Sequence, residues 1–236
     1  PALCLLSLFK MIDECGPVRQ AAASLFRAVV ELMQDEEPVV ASDTVASLLT
    51  GSQVKDVYEN HAISLSAWLA SQNRSLTSPI IFECLLALSQ PSLAPCGRSS
   101  IICLLRPWML NIRFSNLSQG GVRQQSPGLS PRSGVGEVLA GPPEDVAQVL
   151  DGIFKMTQSF SGAHPREIEG LWATIASRSE NVAPVVSFLV ETIAVSFGVD
   201  PESALLVVGQ KIAVILARQQ PQHAVDAIMD AASALP

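Results

Sequence analysis

The chain has 236 residues, 48% of them hydrophobic and 16% charged, with a mean hydropathy of +0.34. That is long enough to bury a substantial core and apolar for a free-standing soluble protein. A net charge of -7 and a sequence pI near 4.9, with Arg and Lys scattered rather than clustered, argue against nucleic acid as a partner, since its binders carry a basic stripe. The aromatic share is 5%, so Ala, Leu, Val and Ile must fill the core, which suits closely packed helices.

Leu3–Ile12 reads as an apolar helical run, stopped and restarted by Cys15-Gly16-Pro17, with Pro17 in the first turn of the next helix. Val18, Ala21, Ala22, Leu25, Val29 and Leu32 then recur at helical spacing until Asp35-Glu36-Glu37-Pro38 closes the segment. Val39–Leu49 predicts a further short apolar helix, with Ser42 or Asp43 capping its second half and Gly51 ending it. Ser52–Asn73 is the clearest amphipathic segment of this half, placing Val54, Val57, Tyr58, His61, Leu65, Trp68 and Leu69 on one face. Thr77-Ser78-Pro79 opens a helix through Ile80, Ile81, Leu85, Leu86 and Leu88, terminated by Pro91 and Pro95. Ser99–Phe114 predicts a buried helix capped by its two serines, kinked at Pro107, with Leu104, Trp108 and Ile112 sharing a face.

Ser115–Pro143 differs in kind. Its Gly, Ser, Pro, Gln and Arg cannot offset ordering entropy by burial, so it is expected to be a flexible inter-helix loop. Ser126-Pro127 and Ser130-Pro131 within it fit proline-directed kinases, though such dipeptides are common in loops. Gly134-Val135-Gly136 is no dinucleotide fingerprint, because no strand precedes it and the third glycine is misplaced. Helices resume at Glu144, with a stripe of Val146, Val149, Leu150, Ile153 and Phe154. Ile168, Leu171, Trp172, Ile175 and Ala176 form a second stripe. Pro184–Phe197 is Val-rich, yet its length favours a buried helix over a strand. Asp200-Pro201-Glu202 starts the helix that carries Leu205, Val208, Ile212, Ile215 and Leu216. Gln220-Pro221 restarts the chain into Ala224, Val225, Ile228, Ala232 and Leu235.

The expectation is an all-α fold of roughly ten or eleven helices. At the ~40–47 residues per pair of HEAT or armadillo repeats this makes about five pairs. Helix-pair alternation, few long loops and helices apolar all round favour a HEAT/armadillo-like α-solenoid of stacked antiparallel helix pairs over a closed all-α globule. Residues 1–114 and 144–236 would be helical repeat segments of one solenoid, separated by the polar loop 115–143.

Chemistry is sparse. Cys4, Cys15, Cys84, Cys96 and Cys103 are odd in number and lack CxxC spacing, which reads as reduced, buried thiols rather than disulfides or zinc ligands. His61 sits on an apolar face, while His164 and His223 lie at helix starts. None has a second His or a Cys four residues away. There is no nucleophile elbow and no phosphate-binding P-loop. The acidic clusters Asp35-Glu36-Glu37 and Glu144-Asp145 fall at helix ends, where carboxylates serve as solvated turn residues or dipole partners. Asn73-Arg74-Ser75 and Asn116-Leu117-Ser118 match glycosylation acceptors but read as accidental. The default for Trp68, Trp108 and Trp172 is core packing; the alternative is a peptide-binding groove. No apolar run reaches the roughly 18 residues of a membrane span. Ala2–Phe9 lacks a basic leader and the chain opens on Pro1, so the sequence is expected to be cut from a longer polypeptide.

Four stretches carry a resemblance: Tyr58–Thr77 with the following Pro79-Ile80-Ile81-Phe82-Glu83, then Leu105–Ile112, Glu169–Ala176 and Lys211–Ala227. In this order and spacing the sequence resembles the central region of the Furry family of cell-morphogenesis proteins, including its fungal polarity members. The resemblance spans most of the chain outside Ser115–Pro143. It implies a very long HEAT/armadillo-like scaffold, of which this chain is a small fraction. It further implies a non-catalytic role, without cofactor or metal, supporting an NDR-class kinase with its Mob co-activator in polarised growth and cytoskeletal organisation. A cytoplasmic location follows, at the cell cortex, at sites of polarised growth or on the cytoskeleton. One rival is an unrelated α-solenoid adaptor in transport or trafficking. The other is an all-α GTPase-activating or hydrolytic domain, which would need Arg106 or Arg113 projecting from a polar groove.

Overall fold

Proline and glycine punctuation sets most helix starts, and the apolar stripes decide what each helix buries. The computed structural model describes residues 1–13, 15–33, 51–114, 143–197 and 204–233. These residues form helices and turns, with no strand among them. Two compact units divide the chain, Pro1–Met109 and Leu110–Pro236. The helix expected over 39–49, the acidic cluster 35–37, the stretch 115–142 with its Ser-Pro dipeptides, and the Asp200-Pro201-Glu202 start lie outside the described residues.

The first unit holds α1 (Ala2–Lys10), α2 (Gly16–Glu31), α3 (Gly51–Gln72), α4 (Thr77–Leu88) and α5 (Pro95–Met109). The restart between α1 and α2 is tied by Asp13. Its carboxylate accepts the Cys15 N–H at 3.0 Å, and its carbonyl accepts Arg19 Nη1 at 2.9 Å. Cys15 is extended at the N-cap, and Pro17 occupies the first turn, where a missing N–H costs nothing. The Arg19 guanidinium then lies 4.3 Å from the Tyr58 ring centre, joining α2 to α3. α1 packs on α2 and also meets α3, α4 and α5, while α3 and α4 both pack on α5. Leu8, Phe26, Leu69, Ile80, Ile81 and Trp108 fill the centre.

α3 departs from its predicted stripe. Tyr58, Ala62, Leu65, Ser66, Leu69 and Ala70 are buried, whereas Val57 is 40% exposed and Trp68 is only half-buried. The small residues Ala62, Ser66 and Ala70, spaced four apart, let the helix approach its neighbours closely, so they replace the larger side chains at the contact.

α5 also differs from its expected span of Ser99–Phe114. It begins at Pro95 and ends at Met109, with Pro107 inside its last turn. Ser99 and Ser100 are therefore interior residues rather than caps. The Ser100 hydroxyl lies 3.1 Å from both Glu59 Oε1 on α3 and Cys96 O one turn back.

The second unit holds α6 (Pro143–Phe160), α7 (Pro165–Ala176), α8 (Val182–Phe197), α9 (Ala204–Gln219) and α10 (Pro221–Ser233). The stripes predicted for α6 and α7 are buried in full. The Val-rich 184–197 stretch is helical. α7 packs on α9 and α8 on α10, each helix thus lying against the one two places further on. Phe154 and Phe188 meet edge-to-face at 5.7 Å, joining α6 to α8. Gly209 is buried on α9 where an added Cβ would come within 2.5 Å of Ile193 Cδ1, so its lack of a side chain sets the close approach of α9 to α8. α10 buries Ala224, as predicted, and Ala227, but leaves Met229 exposed along with Val225 and Ile228, two members of the predicted stripe.

Asn181 secures the entry to this unit. It is fully buried in the 3-10 turn Ser179–Asn181. Its Oδ1 accepts the Phe114 N–H at 2.8 Å, and its Nδ2 donates to Ile112 O at 3.2 Å and Ile175 O at 3.3 Å. A helix through 110–114 would have used these same backbone groups internally, which is why helix stops before them.

Candidate interaction surface

The side chains that sequence put forward for chemistry are dispersed. His164 is buried at the N-cap of α7, His223 is exposed on α10, and His61 is half-buried on α3, where desolvation lowers its pKa. None of the five cysteines forms a disulfide. Cys4 and Cys84 are buried, and burial raises the pKa of both thiols. Cys103 is half-buried, whereas Cys15 and Cys96 are exposed, so the expectation of uniformly buried thiols fails at those two. Among the described residues no group of three or more His, Cys, Asp or Glu is placed to hold a metal ion. Arg106 is exposed near the end of α5, and Arg113 Nε pairs with Glu180 Oε1 at 3.1 Å.

A concavity lies in each unit. In the first, a cavity of about 270 Å³ lies between α1 and α5, lined by Phe9, Lys10, Asp13, Cys96 and Ser100 among others. Asp13 is held ionised there, its pKa lowered chiefly by the Cys15 N–H and further by Lys10 and Arg19. In the second, a larger groove of about 390 Å³ runs between α6, α7 and α9. Neither Arg106 nor Arg113 lines either one.

The groove is built from the helix stripes themselves. Ile168 and Trp172 of α7 and Ile212 of α9 form its buried floor. Below them the Trp172 indole donates to Thr157 Oγ1 at 2.9 Å, and that hydroxyl donates to Ile153 O at 2.8 Å, so no buried polar atom of the pair is left unmatched. On the wall, Val207 and Val214 are 52% and 49% exposed. Seven residues apart, they lie on one side of α9, ~10 Å apart along its axis. Gln210, Lys211 and Arg218 follow the same face. Arg218 Nη1 reaches Glu169 Oε1 of α7 at 3.3 Å, an exposed pair of small energetic weight. Among the described residues no acidic side chain lies within ion-pair distance of Lys211.

Sequence reading supplied Trp172 as a core residue and held a groove as the alternative for it. The structure buries Trp172 completely, as core packing requires, beneath the groove and with its indole N–H satisfied by Thr157. Asn181, Thr157 and Ser66 were missed. A buried polar residue whose partners lie on other segments leaves no periodic signature.

No helix among the described residues is long and apolar enough to cross a membrane. No solved structure matches the chain. A family model described as the cell morphogenesis central region matches residues 143–233. It takes in Glu169–Ala176 and Lys211–Ala227, two of the four stretches that carried the resemblance, and these two supply most of the floor and rim of the groove. Tyr58–Thr77 and Leu105–Ile112 precede the matched residues. Over residues 143–233 the chain is thus similar to the cell-morphogenesis central region, the region in which the Furry family resemblance lay.

Proposed function

We propose that this chain is a non-catalytic segment of an α-solenoid scaffold that supports NDR-class kinase signalling, with the Mob co-activator, in polarised growth and cytoskeletal organisation. The observation that carries the reading is the packing within the family-matched residues. α7 lies on α9 and α8 on α10, the pattern of stacked helix pairs, and the stack leaves an apolar groove open on its side. Short connections such as the single Gln220 between α9 and α10 fit antiparallel pairing. Residues 1–114 and 144–236 serve as successive parts of that scaffold, acting in the cytoplasm at the cortex, at growth sites or on the cytoskeleton.

The test is a pull-down with the chain as bait and a reconstituted NDR-class kinase–Mob pair as prey at near-physiological salt. Saturable binding is expected. No binding by the folded chain would overturn the kinase-docking part of the reading and leave a structural spacer.

A further inference from the structure

The groove between α6, α7 and α9 has a chemistry of its own. Its floor is apolar and fixed, because Trp172 and Ile212 are fully buried and the indole N–H is already satisfied by Thr157. Its wall presents Val207 and Val214, each about half exposed, at a separation of two helical turns. Exposed apolar side chains beside a preformed depression mark an interaction site more strongly than scattered ones. The rim adds two cations, Lys211 and Arg218, against one carboxylate, Glu169. Lys211 stands between the two valines without an ion pair among the described residues, and Arg218 pairs with one exposed carboxylate, Glu169.

We propose that this groove binds an acidic amphipathic helix of a partner protein, with apolar anchors spaced i, i+3 or i+4, and i+7 and a carboxylate facing Lys211. The spacing follows from α9, since a second helix laid along it meets Val207 and Val214 at intervals of about 10 Å. The sign of the partner follows from the rim. Lys211 gains an ion pair on docking, and a partner carboxylate can compete for Arg218 against Glu169 in an exposed, weakly held pair. The cavity, at about 390 Å³, is at the small end for a bound organic cofactor and accommodates a few side chains inserted from a helix. A basic partner would face Lys211 and Arg218 and is disfavoured. The proposal rests on the scaffold reading only in taking the ligand to be a protein.

The experiment is selection of a phage-displayed library of helical peptides against the whole immobilised chain, followed by fluorescence anisotropy of the enriched peptides. Enriched sequences should share an apolar stripe and net negative charge. Val214→Asp should weaken them at least about tenfold, and Lys211→Glu should weaken acidic peptides while improving versions with Glu changed to Lys. Both positions are exposed, so circular dichroism should report unchanged helix content. Failure to enrich any peptide, enrichment of neutral or basic ones, or equal binding by Val214→Asp would overturn the proposal. So would a concentration-dependent dimer abolished by Val214→Asp, which would make a second copy of the chain the occupant. These readouts use no kinase, so a negative kinase–Mob pull-down and a negative peptide selection remain separate results.

Discussion

The Trp108 indole donates to Ser66 Oγ at 3.0 Å, and the same hydroxyl donates to Leu104 O at 2.8 Å, one turn back on the indole's own helix. Ser66 of α3 thereby binds two successive turns of α5 just where Pro107 takes a donor out of the ladder. The second unit repeats the idea with Trp172 and Thr157, except that Thr157 returns its proton to its own helix. A buried indole cannot be left unpaired cheaply, so each large aromatic anchor fixes the position of a small polar residue on a neighbouring helix.

Ser66→Ala should destabilise the first unit by about 1–3 kcal/mol, because the indole N–H is then buried without an acceptor. Trp108→Phe combined with Ser66→Ala should cost less than the sum of the single changes, with a coupling of about 0.5–3 kcal/mol in a double-mutant cycle. Urea unfolding followed by circular dichroism reads both; strict additivity would show that the pair does not act together.

Thr157→Val keeps the shape and removes the acceptor, so it should cost about 1–3 kcal/mol, while Thr157→Ser should retain most of the stability. A larger loss for Thr157→Ser than for Thr157→Val in urea titrations would mean that packing of the methyl group, and not the hydroxyl, matters at this position.

Asn181→Asp should destabilise the second unit at neutral pH and less so in acid. The carboxylate would face Ile112 O and Ile175 O with no donor to offer them, which raises its folded-state pKa above the ordinary carboxylate value. The penalty is therefore absent below the unfolded pKa of ~3.9 and grows as pH rises toward the folded pKa. A denaturation midpoint that trails the unmodified chain by the same margin at every pH would contradict this.

His61 imposes the opposite kind of test, on a natural residue. Burial lowers its folded-state pKa from the ordinary 6.5, so the neutral ring is favoured in the folded chain. Its contribution is complete above pH 6.5 and is lost as pH falls through the folded value. The stability advantage of the unmodified chain over His61→Gln should accordingly shrink as the pH of the thermal melt is lowered from alkaline to mildly acidic.

Thiol labelling under native conditions should report Cys15 and Cys96 quickly, and Cys4 and Cys84 only on unfolding, because burial removes access and raises the pKa of the latter two thiols. Rapid modification of Cys84 in the folded chain, read by peptide mass spectrometry, would contradict its placement.

Much of this fold was legible because helical periodicity is a local property. The stripes Val146–Phe154 and Ile168–Ala176 became buried faces, Pro184–Phe197 was helical on length alone, and Pro17, Pro165 and Pro221 sit at helix starts. The similarity to the cell-morphogenesis central region was legible too, in Glu169–Ala176 and Lys211–Ala227. What the sequence could not determine was which groups satisfy one another across long separations. Phe114 and Ile112 belong to an apolar run that reads as helix, yet Asn181 takes their backbone groups from 67 and 69 residues away. Small residues tell the same story. Ala62, Ser66, Ala224 and Ala227 lie at contacts because helices approach closely there, and Val225, Ile228 and Met229 are left outside. Periodicity determines that a helix has an apolar side; only packing decides which residues of that side touch, which polar atoms are matched, and that Val207 and Val214 border an open groove.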